Sequence, residues 1–150
     1  MTLKVGNDMK LYYNTGTDAS PTWNEINIVG DVTVDLNVGD AVVDLRESNW
    51  LLNLPAKLSG SVSIMLANHI GDTDYDVLRG YFFNRTQAQF ASADGAIATS
   101  GTEYFKAFCY FSAFPWSQPT QEMSSHDATL SLGYTEESSA LVEPAWATTP

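Results

Sequence analysis

Cysteine is almost missing from this chain. The single Cys109 excludes an intrachain disulfide framework. Basic residues are scarce as well: seven Lys and Arg stand against 18 Asp and Glu, for a net charge of -11. A surface that acidic repels phosphate, which excludes tight nucleic-acid binding through counterion release. Only two histidines occur, His69 and His126, and neither lies at ligand spacing from a cysteine or the other histidine. That leaves no metal-site pattern, and both read as ordinary surface or loop residues. No stretch approaches the ~20 apolar residues of a membrane span. Residues 1–10 hold no apolar run of signal-peptide length, so the chain is expected to be made in the cytosol or exported without a cleaved signal.

Motifs of catalysis are missing too. There is no phosphate loop, no G-x-S-x-G and no G-x-G-x-x-G. Cys109 sits within an aromatic segment, where a buried inert thiol is expected rather than a nucleophile, which needs an electropositive, accessible setting. Asp72-Thr73-Asp74-Tyr75-Asp76 begins like a calcium loop. However, Val77 occupies the position that needs Gly, and Phe83 the position that needs a bidentate Glu. The reading is therefore no enzyme, no cofactor and no metal.

What is present is alternation. The 150 residues favour one domain, and 44% hydrophobic residues mark it as globular. In 31–38, Val32, Val34, Leu36 and Val38 alternate with Thr33, Asp35 and Asn37. In 58–67, Leu58, Val62, Ile64 and Leu66 alternate with Ser59, Ser61 and Ser63. In 127–134, Ala128, Leu130 and Leu132 alternate with Asp127, Thr129 and Ser131. Each pattern predicts a half-buried strand with one apolar face and one face of hydroxyls and carboxylates. Segment 103–116 is apolar on both faces, so a helix or another copy must supply its second layer. Shorter strands are expected at 10–13, 23–29, 87–92 and 123–125. One amphipathic helix is expected over about 73–84, with Tyr75, Leu78 and Phe82 on its apolar stripe and Thr73 as N-cap.

Two stretches fit no core. Residues 39–57 mix Asp44, Arg46 and Glu47 with Trp50, Leu51, Leu52 and Leu54, and read as an extended loop within a β-domain spanning 1–134. Such a loop either finds a partner or folds back over its own core. Residues 135–150 have no clear period and read as a C-terminal arm.

A resemblance emerges from the order of several short motifs. These are Gly6-Asn7-Asp8-Met9-Lys10-Leu11-Tyr12-Tyr13, Trp23-Asn24-Glu25-Ile26, Asp31-Val32-Thr33 and Asp44-Leu45-Arg46-Glu47-Ser48-Asn49-Trp50. Leu54-Pro55-Ala56-Lys57-Leu58, the helix at Asp74-Tyr75-Asp76-Val77-Leu78, the Asp94-Gly95 turn, Phe111-Ser112-Ala113-Phe114 and Gln118-Pro119 follow. Over roughly residues 6–134 the chain resembles the major tail tube proteins of long-tailed bacteriophages, whose fold also serves contractile tails and type VI secretion.

The resemblance implies a mainly β fold, a β-sandwich or split barrel with one flanking helix, whose inner sheets join in a hexameric ring barrel. It implies a structural subunit of the virion tail, partnered by further copies of itself and by tape-measure, tip and terminator proteins. DNA would pass through without specific binding, and nothing would insert in a membrane. Thr33, Asp35, Ser59, Ser61, Ser63, Asp127, Thr129 and Ser131 would then face the lumen, the alternative being a solvated outer face. Arg46, Trp50, Leu52 and Leu54 would make contacts between rings. Two other readings are a tube subunit of a secretion or contractile injection system and a monomeric acidic β-sandwich binding module.

Overall fold

The computed structural model describes residue 3, residues 6–137 and residues 139–150. The other positions of the expected 1–134 domain and 135–150 arm lie outside the described residues. A short 3-10 turn at Gly6–Asp8 leads into β1 (Lys10–Asn14), β2 (Trp23–Glu25), β3 (Val29–Val43) and β4 (Leu52–Ala67). Helix α1 (Thr73–Asn84) follows, then β5 (Ala88–Ala93), β6 (Glu103–Ala113) and β7 (Ser125–Leu132). The chain ends in β8 (Glu136–Glu137), β9 (Ala140–Leu141) and β10 (Ala145–Thr148). Among the described residues the fold is mainly β with one α-helix, as expected.

The main sheet is antiparallel, in the order β2-β1-β5-β6-β7-β4-β3. The apolar residues of one face converge on the larger core. Leu11 and Tyr13 of β1 meet Ile64 and Leu66 of β4 there, together with Phe90, Phe105, Phe111 and Leu130. Strands from both ends of the sheet share this core, so the sheet curls around it. The two ends are tied by the link between β2 and β3. Ile26 donates its N–H to the Leu11 carbonyl (2.9 Å), and the Ile28 carbonyl accepts from Ala67 N–H (2.9 Å). The sheet remains a split, open barrel.

Helix α1 covers the curled face. Asp72, one residue before the expected cap, is the N-cap; its carboxylate accepts from Asp74 N–H (2.9 Å) and Tyr75 N–H (3.1 Å). Asp is as good a cap as Thr, and the chain turns extended there (φ -78°, ψ 132°). Tyr75 and Leu78 are buried, with Val77, Tyr81 and Phe82 packed alongside. The helix stops at Arg85, in the left-handed region (φ 55°). Arg85 N–H reaches the Phe82 carbonyl (3.2 Å) and Thr86 N–H the Tyr81 carbonyl (3.0 Å). This paired closure satisfies carbonyls the last turn would leave open. The calcium-like acids have internal partners: Asp74 accepts from Tyr13 O–H (3.0 Å), and Asp76 pairs with Arg79 (2.9 Å).

Strand β6 finds its second layer partly within the chain. Phe105, Ala107, Cys109 and Phe111 join the core, while Tyr104 packs with Trp23 around Tyr12 and Ile97 on the other side. Tyr110, on that second side, stays exposed. The end of the chain is tied to the sheet. Strand β10 pairs with residues 103–106 of β6, beyond the stretch 109–113 that β7 pairs with. That placement satisfies backbone groups on β6 that would otherwise form an open edge.

Three further expectations need correction. His126 is buried, only 2% exposed, although the polar residues before it suggested a surface site. Its place on the inward side of β7, opposite Leu66, puts it in the core. Residues 39–57 are not a loop throughout: 39–43 and 52–57 are strand, and only 44–51 form the tip. Residues 123–124, expected within a short strand, precede β7, which starts at Ser125.

Candidate functional site

The hydroxyl-bearing positions become neighbours through register. Asp35 lies opposite Ser61, Ser61 opposite Ser131, and Ser131 opposite Tyr110. The next row runs Thr33, Ser63, Thr129, Ala113. Asn37 faces Ser59, and Asp127 faces Met65. Because strand side chains alternate, all eight expected residues on β3, β4 and β7 share the side opposite the core. Asp31 joins them along a shallow groove with Thr33, Ser63, Asp127 and Thr129.

Among the described residues this surface has acceptor oxygens and hydroxyls but no cation of its own. Asn37 Nδ2 donates to Asp35 Oδ1 (3.3 Å), and Ser112 Oγ to the Thr129 carbonyl (3.1 Å). The two lysines farther along the same side of the sheet are held by carboxylates. Lys10 Nζ is 2.7 Å from Glu25, a hydrogen bond that raises its pKa. Lys106 Nζ donates to Asp18 Oδ1 (2.6 Å), which also accepts from Gln89 (2.6 Å). Burial alone would push the Asp18 carboxyl up, but those two bonds hold it below its ordinary value. An approaching polyanion therefore meets repulsion and water here, and the described lysines nearby are already paired with carboxylates. Among the described residues no group of His, Cys, Asp and Glu could hold a metal ion.

Sequence reasoning missed Asp31 and Tyr110. Asp31 obeys the same alternation and could have been included. Tyr110 could not, because its place beside Ser131 depends on the β6–β7 register.

The second surface is an arm. The β4–β7 ladder ends at Ser61, yet β4 continues back to Leu52 and β3 forward to Val43. Residues 52–60 extend roughly 30 Å beyond the sheet at the usual rise per residue. A register shift after Val38 puts two β4 residues, Ala56 and Lys57, opposite Gly39 alone. This bulge changes the parity of β4. Val38 and Leu58 therefore pair on one side, while Ala41 with Leu54 and Val43 with Leu52 pair on the other. Both sides carry exposed apolar residues, Val38, Val42 and Leu58 on one and Leu52 and Leu54 on the other, with Asp40 and Asn53 beside the first set. At the tip, Trp50 is 78% exposed, its N–H accepted by Ser48 Oγ (3.0 Å), and Arg46 lies in the turn. Arg46, Trp50, Leu52 and Leu54 thus share one projecting element. A two-stranded ribbon alone is marginal in water, and covering each leucine would contribute about 1.5–3 kcal/mol.

No family model matches this chain, and no curated protein matches its sequence. Solved structures do match its shape. The SPP1 tail tube, a hybrid of solid-state NMR and cryo-electron microscopy, is 15% identical with a TM-score of 0.69, covering 87% of this chain and 76% of that one. The tail of an empty gene transfer agent particle, computed with helical refinement and C6 symmetry, is also 15% identical at a TM-score of 0.69, covering 99% and 100%. The sheath–tube complex of an extracellular contractile injection system in its extended state is 8% identical at a TM-score of 0.60, covering 94% and 88%. At these identities the shared property is architecture: this chain has the fold seen in phage-tail and injection-system assemblies.

Proposed function

We propose that this chain is the structural subunit of a phage tail tube. Six copies close into a ring, rings stack, and the face bearing Asp35, Ser61, Asp127 and Thr129 lines a bore through which DNA passes. The observation that carries this reading is the arm: exposed apolar residues stand on both of its sides, left uncovered by the described residues. Such an element is stable only when other copies cover it. Closing sheets across copies also removes the exposed edge of β3. The C6 symmetry of the gene transfer agent tail supports six as the ring number. Six copies at -11 each give -66 per ring.

On this reading the chain is not an enzyme. It acts by geometry and charge in the virion tail, after synthesis in the host cytoplasm, with tape-measure, tip and terminator proteins as further partners. Arg46, Trp50, Leu52 and Leu54 make the contact from ring to ring. The likeness to contractile injection systems supports a second reading, a tube that delivers protein instead of DNA.

Negative-stain microscopy of the concentrated purified protein tests the proposal. Rings or hollow fibres are expected. A particle that stays near 16.4 kDa at every concentration, as a binding module would, overturns it.

A further inference from the structure

A groove of about 660 Å³ opens where the C-terminal end of α1 meets residues 110–112 of β6. Its inner wall is two rings already held by the core. Phe82 stacks on Phe114 (5.3 Å between centroids, 19° between planes). Phe111 meets Phe114 and Phe90 edge-on, at 5.5 and 6.0 Å. Its rim is two rings that the described residues leave open: Phe83 is 72% exposed and Tyr110 41%. Arg85, Gln87 and Ser112 complete the lining. Strand β6 has its register shift here. Phe111 pairs with Leu130 and Ala113 with Thr129, so Ser112 has no partner residue of its own. A bulge of this kind re-aims side chains and interrupts the sheet surface locally.

Arg85 is the unusual member of the lining. It ends the helix at φ 55°, a conformation that suits glycine and costs stability in any residue with a side chain. Backbone strain of this kind collects at ligand sites. The charge of Arg85 is unmatched as well. Lys10, Arg79 and Lys106 sit against carboxylates. Among the described residues no ion pair to Arg85 is found, and no acid lines the groove.

We propose that this groove docks a segment of a partner protein in which an aromatic side chain stands next to an Asp or Glu. The ring fills the space over Phe82 and Phe111, between Phe83 and Tyr110. The carboxylate takes the Arg85 guanidinium, whose planar fork matches it. One cation satisfies one carboxylate, whereas a nucleic acid would bring its whole backbone toward a chain of net charge -11. A free aromatic acid fits poorly too. A small-ligand site encloses most of its ligand, and rim rings this exposed need a partner with surface of its own to cover them. The docking goes beyond the tube reading and does not depend on it.

The test follows the fluorine signal of the peptide acetyl-Ala-Glu-Trp-Ala-amide, its tryptophan fluorinated, as dilute purified protein is added. The same peptide with Gln for Glu is the control. Saturable binding of the Glu peptide is expected, about tenfold tighter than the Gln peptide, as a charge-assisted bond contributes. Arg85→Gly separates docking from folding: it relieves the left-handed backbone, so the melting temperature should rise while the preference for Glu disappears. Phe83→Ala should weaken both peptides alike at an unchanged melting temperature. Equal binding of the two peptides, or a preference that survives Arg85→Gly, overturns the proposal. So does fluorinated indole acetate binding as tightly as the Glu peptide, or oligothymidylate displacing it. A Phe83→Cys thiol that becomes protected from maleimide as the protein alone is concentrated would make a second copy the occupant, and overturns it too; Cys109 is buried and stays silent. Because the titration uses dilute subunits, its failure leaves the tube reading standing, and failure of that reading leaves the groove to be tested.

Discussion

His126 sits among rings, with Phe114 at 4.4 Å, Trp116 at 5.4 Å and Tyr75 at 5.6 Å between centroids. Its Nδ1 lies 3.2 Å from the Pro115 carbonyl, which can only accept, so Nδ1 carries the proton. Nε2 then accepts from Tyr75 O–H at 2.8 Å. The neutral ring is fully satisfied, whereas the charged ring would force the tyrosine hydroxyl to turn away. Burial pushes the pKa below its ordinary value of 6.5, outweighing the opposing bond to Pro115. With the folded pKa depressed, the unfolded chain takes up the proton first. Stability is therefore complete above 6.5 and declines as pH falls through 6.5 toward the folded value. Melting temperatures measured above and below 6.5 should fall on acidification, and His126→Gln should flatten that dependence while lowering the melting temperature throughout. The burial of His126 was not legible because polar neighbours suggested a loop. What decided it was strand parity, continued one residue farther back than Asp127.

Among the elements, the arm departs most from a stable part in isolation. Its residues Leu36, Val38, Trp50, Leu54 and Leu58 are exposed where a soluble monomer would place polar groups. If it is an interface, Trp50→Ala should leave the melting temperature of the subunit unchanged and weaken ring stacking by about 2 kcal/mol or more per contact. Calorimetry and tube length by microscopy check the two halves of that expectation. Unfolding of the variant would instead mean that Trp50 serves its own core. The strands of the body were legible from their period of two. The outer halves of β3 and β4 were not, because Gly39, Pro55 and the bulge at Ala56 and Lys57 interrupt the alternation, and apolar residues on both sides leave no period to read. Helix α1 was legible to within one residue of its cap. Strand β10 was hidden, since its pairing with β6 depends on a distant partner.

At the scale of the whole molecule, charge is distributed by face. The described lysines beside the hydroxyl surface are locked to Glu25 and Asp18, leaving Asp31, Asp35 and Asp127 to dominate it. Asp35→Lys with Asp127→Lys would take each copy from -11 to -7. In a tube, this should permit assembly and slow DNA ejection, with added salt restoring the rate as phosphate contacts are screened. Ejection at the parental rate in a virion carrying the variant would place this face outside the bore. The composition of the face was legible from the sequence; whether it points inward or outward in an assembly depends on copies that the single chain does not contain. Strand β4 is one unbroken ribbon from the arm at Leu52 to the core at Leu66, bonded to β3 along its length and to β7 over its inner half. Tension applied to the arm would pull along that ribbon, loading many ladder bonds simultaneously in shear instead of peeling them one by one. A stretched stack of such subunits would therefore part at its joints before any subunit came undone.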